Sequence, residues 1–427
     1  MKSRALVFGL LACLAAAPTL AELRGHGGPV RALAVSPDGR FAMSGSFDQS
    51  AILWSIEDGA ARAVLRFHEG AVNAVAALPD GRFASAGEDG RIALWRGDGP
   101  VPERVITGHT GPVVSLSLSP DGAVLASAAW DGTARLQSLR GGEARVLEGH
   151  QGNVNAVTFL PDGRVVTAGY DLTLRVWPRE PGGEASSITL PTPLNAVAAA
   201  PDGEIATAGA DGVVRFLDSA LRVRAEVETQ GTPIIALALS PDARRIAAAS
   251  VRGSVTLIDR AAAKTAFTLV GPGLPVWSVV FRPDGTELLT GGSDRLVRRW
   301  NARTGEHLGP VVMAPVPDLL AGLQGDRGAE VFRACAACHT LTPDGGNRAG
   351  PTLHGLFGRR IATVAGYNFS PALKEMDIVW TPQTVSALFE VGPARYTPGT
   401  KMPEQTISDP ADREALVRFL ARATAPR

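Results

Sequence analysis

The chain has 427 residues, more than one hydrophobic core usually supports, so two or more domains are expected. Its 42 basic residues balance its 42 acidic residues, and this neutrality disfavours nucleic acid or another polyanion as the partner.

The N-terminus has the layout of a secretory signal peptide. Lys2 and Arg4 precede an apolar run that ends in small residues at Ala21. The run is shorter than the roughly 18 residues of a membrane span. We therefore predict that residues 1–21 are removed on export to the periplasm, and we expect no membrane span. A lipid anchor at Cys13 is less favoured, because the chain stays apolar as far as Leu20.

Residues 22–313 repeat with a period of about forty. Turns of the type Pro-Asp-Gly stand between short, partly alternating apolar runs that read as strands joined by hairpins. The turns lie at residues 37–39, 79–81, 120–122, 161–163, 201–203 and 283–285, with Pro-Asp-Ala at 241–243. A second series of acids recurs at nearly the same step: Asp48, Asp89, Asp131, Asp171, Asp211 and Asp294, with Arg252 in the sixth slot. Seven copies predict an all-β propeller of seven four-stranded blades.

These residues resemble the WD-repeat propeller family. The resemblance implies a hydrogen-bonded set in each blade, made of a His, a Ser or Thr, the turn Asp and a Trp six residues after it. The first, second and fourth copies hold the full set, with Trp54, Trp95 and Trp177. The third copy has Gln137 in the Trp slot, copies five to seven lack the His, and copy six lacks all four residues.

Two further expectations follow from the propeller. Because only three residues separate Ala21 from the first Gly-His pair, we expect the outer strand of blade seven to come from about residues 305–313 and not from the N-terminus. By the resemblance, the residue before each turn acid lies on the partner-binding face. Phe47, Trp130 and Tyr170 stand in those positions and suggest a patch for a protein partner, although they could equally fill the top of the disc.

Residues 314–320 form a short proline-containing linker, and the pattern turns helical in residues 321–427. The run Cys335-Ala-Ala-Cys338-His339 is the attachment signal for a c-type haem, in which two thiols form thioethers and the imidazole binds iron. Cleavage after Ala21 leaves these two as the only cysteines. A chance or thioredoxin-like Cys pair is the alternative for the bare motif.

The segment from Gly325 to Ala423 resembles class I cytochrome c. The matching stretches are the haem motif, residues 350–359 (GPTLHGLFGR), residues 378–380 (IVW) and residues 396–402 (YTPGTKM).

By this resemblance one covalent haem c has His339 and Met402 as axial ligands. The resemblance further implies roles around the haem for Pro351, Arg359, Trp380 and Tyr396. Pro351 offers its carbonyl to His339, Arg359 and Trp380 match groups that bind a propionate, and Tyr396 lies beside the methionine sulfur. Gly328, Phe332 and Phe419 match the crossing of the first and last helices.

The chain departs from the mitochondrial type at two haem-pocket positions and in its surface charge. Phe369 and Leu373 replace a Tyr and an Asn, and the family's ring of lysines is missing, since this domain has only Lys374 and Lys401. Electrostatic steering of partners should therefore be weak.

Closed axial positions favour one-electron exchange over substrate chemistry. We expect a periplasmic electron carrier, not an enzyme, with redox partner proteins docked by the propeller and by the haem edge near Cys338 and Lys401. One alternative is an oxidoreductase whose propeller carries a substrate or a second cofactor. Another is a structural assembly factor with a vestigial haem. The electron donor and acceptor and the oligomeric state do not follow from the sequence.

Overall fold

The computed structural model describes residues 22–97, 99, 101–271, 273–308, 323, 325–333, 335–337, 339–342, 350–365, 367, 369–398, 400, 402 and 406–425. The predicted signal peptide and the linker at 314–320 lie outside these residues.

The N-terminal region forms seven antiparallel sheets of four strands each, which confirms the seven-bladed propeller. The strands of blades one to three are β2 (Val30–Val35), β3 (Phe41–Ser46), β4 (Ser50–Ser55), β5 (Ala60–Arg66), β6 (Val72–Ala77), β7 (Arg82–Gly87), β8 (Ile92–Arg96), β9 (Arg104–Ile106), β10 (Val113–Leu118), β11 (Val124–Ala129), β12 (Thr133–Ser138) and β13 (Arg145–Glu148). Those of blades four to six are β14 (Val154–Phe159), β15 (Val165–Gly169), β16 (Thr173–Trp177), β17 (Ser186–Thr189), β18 (Leu194–Ala199), β19 (Ile205–Gly209), β20 (Val213–Leu217), β21 (Val223–Glu228), β22 (Ile234–Leu239), β23 (Arg245–Ser250), β24 (Ser254–Asp259) and β25 (Lys264–Val270). Blade seven contains β26 (Val276–Phe281), β27 (Glu287–Gly292), β28 (Leu296–Asn301) and β1 (Glu22–Arg24).

The Pro-Asp-Gly turns join the first and second strands of their blades. In blade one the Gly39 amide donates to the Ser36 carbonyl at 2.8 Å, and Gly39 has a φ of 71°, a conformation that glycine adopts without strain. The Asp38 carboxylate accepts from the Ser36 hydroxyl at 2.5 Å and from the Arg40 amide at 3.0 Å. This local bonding explains why the turn sequence repeats with the blades.

Three blades contain the complete hydrogen-bonded set that the WD resemblance implies. Histidine Nδ1 donates to the turn aspartate at 3.0 Å, and histidine Nε2 meets a Ser or Thr hydroxyl at 2.7–2.9 Å. That hydroxyl also accepts from the tryptophan Nε1 at 2.7–2.8 Å. The sets are His26–Asp48–Ser44–Trp54, His68–Asp89–Ser85–Trp95 and His150–Asp171–Thr167–Trp177. Each set ties the blade's edge loop to its second and third strands.

Arginine takes the place of histidine in blades five and seven. Arg215 Nη2 donates to Asp211 at 2.7 Å, and Arg298 Nε donates to Asp294 at 2.7 Å. Both guanidinium groups are buried and follow their acid by four residues. From the sequence alone, only the missing histidine is evident in these blades. Arg175 stands at the same offset in blade four, where His150 already binds the acid, so the offset alone does not identify the exchange.

The expectation about blade closure was wrong. Strand β1 is the outer strand of blade seven, with Glu22 opposite Arg298. Three residues suffice because Leu23 is buried and the Glu22 carboxylate accepts from Arg298 Nη1 at 2.6 Å. The segment predicted for this role contributes as well. His307 forms a bridge with Trp300 beyond the end of β1, so the two chain segments share one edge of β28.

The described residues of the C-terminal region include helices, as predicted, and contain no named strand. Its helices are α1 (Arg327–Phe332), α2 (Pro371–Glu375), α3 (Pro382–Val391), α4 (Pro393–Tyr396) and α5 (Pro410–Ala423), with a 3₁₀ turn at Cys335–Ala337. Helices α1 and α5 cross closely at Gly328, where an added Cβ would lie 2.2 Å from the Ala415 carbonyl oxygen. Phe332 and Phe419 pack at this crossing with ring centroids 5.4 Å apart. No helix in the described stretches has the length and apolar character needed to cross a membrane.

The histidine sets predict how propeller stability depends on pH. Burial opposes ionisation of Asp89, but hydrogen bonds and charge from His68 outweigh it and lower the pKa of Asp89 from 3.8 to about 2. A lowered carboxyl pKa stabilises the fold above pH 4, and this stabilisation disappears as the pH falls towards 2. We expect Asp89→Asn to reduce the free energy of unfolding by about 1–3 kcal/mol at pH 7, and we expect that deficit to shrink below pH 4. Urea denaturation across this pH range measures both effects.

The matched control is Asp80→Asn. Asp80 is an exposed turn acid that binds Arg82 at the surface of the same blade, so its loss should change stability little. A deficit for Asp89→Asn that stays constant from pH 7 to pH 2 would contradict the assignment.

Candidate haem site

The attachment segment begins directly after the crossing of α1 and α5. Cys335 opens the 3₁₀ turn, is buried and lines a cavity in the C-terminal region. The His339 amide donates to the Cys335 carbonyl at 3.0 Å, so the turn holds the predicted ligand one turn beyond the first thiol. The second predicted thiol, Cys338, lies outside the described residues.

The imidazole of His339 is held by the segment that contains Pro351. His339 Nδ1 lies 2.7 Å from the Pro351 carbonyl oxygen, which leaves Nε2 available to a metal. The Leu353 amide donates to the Thr340 carbonyl at 2.8 Å and ties the two segments together. Burial lowers the pKa of His339, although the hydrogen bond to Pro351 opposes that shift. The ring is therefore neutral near pH 7, which is the state that binds iron.

Gly350 explains why the imidazole can lie so close to the chain. A Cβ at this position would stand 2.3 Å from His339 Cε1, so any larger residue would push the ring away. In the sequence, Gly350 is only the first residue of a stretch that resembles cytochrome c. Its proximity to the imidazole is a tertiary contact that the motif does not reveal.

Met402 lies on the wall of the same cavity as His339. Its amide donates to the Thr400 hydroxyl at 3.1 Å, and its side chain packs against the core formed around Phe332 and Leu416. The other candidate, Met376, packs in a separate cluster with Ile361. Lys401, which the sequence reading placed at the exposed haem edge, is outside the described residues.

Arg359 and Trp380 line the cavity on strand-like segments that pair with each other. The Trp380 amide donates to the Arg359 carbonyl at 2.9 Å, and the Gly358 amide donates to the Trp380 carbonyl at 2.9 Å. The Arg359 guanidinium donates to the backbone carbonyls of His354 and Thr352 at 2.8 and 2.9 Å. These bonds fix the cation at the cavity wall, and burial lowers its pKa.

The remaining predicted residues occupy different places. Tyr396 ends α4 and packs against the same core cluster as Met402, outside the described lining of the cavity. Phe369 and Leu373, the two departures from the mitochondrial type, are buried and line the cavity. Tyr367 packs edge-on against Phe369 with ring centroids 4.7 Å apart. This wall of the pocket is therefore more apolar than a Tyr and an Asn would make it.

The cavity fits a haem. Its volume is about 1180 Å³ including the open mouth, and its lining is largely apolar with few polar groups. An imidazole and a thioether line one cavity together with a thiol; the first two suit a low-spin iron, and the thiol suits covalent attachment of a c-type haem. The fold and the site thus define a haem-binding helical domain joined to a seven-bladed propeller.

Comparison with known proteins agrees with both parts. The family model "WD domain, G-beta repeat" matches residues 18–55, 59–96, 100–137, 141–178 and 263–301, and the model "Cytochrome c" matches residues 325–424. The unmatched stretch contains most of the fifth and sixth repeats, where the sequence lacks most of the hydrogen-bonding set.

Individual relatives are cytochromes c. One from Arabidopsis thaliana is 46% identical over 105 residues, which are 93% of that protein and 24% of this chain. One from Cochliobolus lunatus is 45% identical over 104 residues, 95% of that protein and 24% of this chain. A cytochrome c homolog from Rickettsia felis is 38% identical over 105 residues, 59% of that protein and 25% of this chain. The chain belongs to the cytochrome c family, binds haem c covalently and carries WD repeats in its N-terminal part.

Proposed function

We propose that the protein is an exported one-electron carrier whose iron is bound by His339 and Met402 and whose propeller docks a redox partner. The observation that carries the proposal is the cavity itself, which His339, Met402 and Cys335 line together. His339 and Met402 would hold the iron, and an imidazole with a thioether would suit it for reversible one-electron exchange without a free position for a substrate.

The protein's own residues prepare this exchange in three ways. Pro351 orients the His339 imidazole and fixes its tautomer through the 2.7 Å bond to Nδ1. The apolar wall that includes Phe369 and Leu373 excludes water from the pocket. Arg359, held by two backbone carbonyls, supplies a fixed positive charge at the cavity wall, where it suits a propionate. A pocket held in this way changes little between two oxidation states, which keeps electron transfer fast.

The histidines favour a carrier over an enzyme with a second metal in the propeller. Four of the seven are in the hydrogen-bonded sets of blades one to four: His26, His68, His109 and His150. His307 packs edge-on against Trp300 at 5.0 Å, and His339 belongs to the haem cavity. His354 is in the segment whose carbonyls hold Arg359. Each histidine thus has a structural or haem-related place.

Export rests on the sequence of residues 1–21, and haem c attachment is consistent with a periplasmic location. Amino-terminal sequencing of the protein recovered from the periplasm tests this proposal. The expected first residue is Glu22, and a mature chain that begins with a lipid-modified Cys13 would contradict it.

The proposal that the propeller docks a redox partner is supported by the aromatic residues at the blade tips. Trp130 is half-buried and follows the second strand of blade three. Its Nε1 donates to Asn155 Oδ1 in blade four at 3.1 Å, and this bond holds the ring in place. A fixed aromatic ring loses little side-chain entropy when a partner covers it.

We expect Trp130→Ala to slow electron transfer from the reduced holoprotein to right-side-out membrane vesicles several-fold. The reaction of the same variant with ascorbate should keep most of its rate, because a small reductant needs no docking face. Stopped-flow absorbance measures both reactions. Equal slowing in the two reactions, or no slowing with vesicles, would speak against docking at this face.

The axial ligands predict the spectrum of the holoprotein. We expect a low-spin c-type spectrum with a sulfur-to-iron charge-transfer band, and we expect Met402→Ala to abolish that band because no other described methionine lines the cavity. Absorption spectra of the oxidised protein measure the change.

Met376→Ala is the matched control, since Met376 packs beside Ile361 in another cluster and should leave the band intact. High-spin iron in the unmodified protein, or loss of the band in the control alone, would refute the ligand assignment.

A further inference from the structure

One corner of the propeller face is built from aromatic side chains of neighbouring blades. Phe47 follows strand β3 of blade one, and its ring packs edge-on against Trp277 of blade seven with centroids 5.7 Å apart. Trp277 is fixed in turn, because its Nε1 donates to the Ser293 hydroxyl at 2.8 Å. We call Phe47 and Trp277 the aromatic corner.

The side chain of Arg31 in strand β2 packs against the aromatic corner. The Arg31 guanidinium lies 5.6 Å from the centre of the Trp277 ring, and its Nη1 donates to the Trp277 carbonyl at 3.4 Å. Burial lowers the pKa of Arg31 to about 10.

Phe47 also lines the haem cavity. It is the one propeller residue among the described residues of the lining, which otherwise come from the cytochrome domain. An apolar ring at a blade tip is thus part of the wall of an apolar pocket in another domain of the same chain. Phe47 is half-buried, although blade tips in this fold commonly face solvent or a partner.

We propose that the aromatic corner is an intramolecular lid, which closes the mouth of the haem pocket against water and small reactants. The occupant of this part of the propeller face is the chain's own cytochrome domain. The lid needs the haem-filled pocket and does not depend on whether the propeller also docks a redox partner. It gives the propeller a second role, since the polarity and solvent access around a haem set its potential and its reactivity.

The position of Phe47 makes the lid rigid. Its backbone amide donates to the Pro29 carbonyl at 3.1 Å, so the end of β3 is bonded to the loop before β2. Trp277 blocks the ring on one side, and the lid can open only by rotation of the Phe47 side chain or by movement of a whole domain. A partner that reaches the haem at this edge must cause one of these changes.

The test is Phe47→Ala in the full-length holoprotein. Removing the ring should open the pocket mouth, so we expect ascorbate to reduce the ferric protein several-fold faster. The midpoint potential should also fall, because water entering the pocket stabilises the more highly charged ferric state. Stopped-flow absorbance and a potentiometric titration measure these two changes.

Phe41→Ala provides a matched control. Phe41 begins strand β3, whose other end precedes Phe47, and it packs against the blade core instead of the haem pocket. The lid predicts no change in either measurement for this variant. Unchanged rate and potential in Phe47→Ala, or equal changes in the two variants, would overturn the proposal. Absence of the sulfur-to-iron band from the unmodified protein would instead count against the ligand assignment. The lid would then still be tested by the rates at which ascorbate reduces the two variants.

Discussion

The hydrogen bond between His339 Nδ1 and the Pro351 carbonyl is the constraint on which the haem site depends. It brings the attachment turn and the segment at 350–353 to a fixed separation, and it aims Nε2 into the cavity. Gly350 makes the bond possible by leaving room for the ring. The close crossing of α1 and α5 at Gly328 in turn supports the attachment turn, which follows α1 after two residues. A larger residue at either position would disturb the predicted iron ligand, because a Cβ at 350 would displace the His339 imidazole and a Cβ at 328 would press on the Ala415 carbonyl.

In the propeller, the turn aspartates receive hydrogen bonds from histidine in some blades and from arginine in others. Every blade except the sixth has an aspartate at the turn between its second and third strands, and a buried carboxylate needs hydrogen-bond donors. Histidine supplies the donor in blades one to four, while Arg215 and Arg298 supply it in blades five and seven. Arginine keeps its charge at every pH that a protein meets, so these two blades should hold their turns independently of histidine ionisation. In blade seven the same arginine also bonds Glu22 and thereby closes the ring of blades.

The sequence was sufficient for the features whose signals are local and for those carried by family resemblance. The number of blades can be read from the repeated turns, because each turn is held by hydrogen bonds among its own neighbouring residues. Ser36, Asp38 and Gly39 are an example. The haem motif and the stretch around Met402 are likewise contiguous, and both predicted ligands line the same cavity. Blade closure was predicted wrongly from the shortness of the N-terminal segment. A strand of three residues is stable here because Leu23 and Glu22 are both buried, and burial is not visible in the sequence. The arginine exchange and the role of Phe47 depend on which side chains meet in three dimensions, and no single-residue pattern encodes that.

The central proposal is that one imidazole and one thioether, which line the same cavity, would bind the iron in a pocket that the protein preorganises. X-ray absorption at the iron edge tests this claim most directly in the oxidised and reduced holoprotein. The account predicts five nitrogen donors and one sulfur donor in both oxidation states, with nearly equal iron–ligand distances because the ligands are held by the fold. A first coordination sphere without sulfur, or one in which an oxygen donor replaces it in either state, would contradict the account.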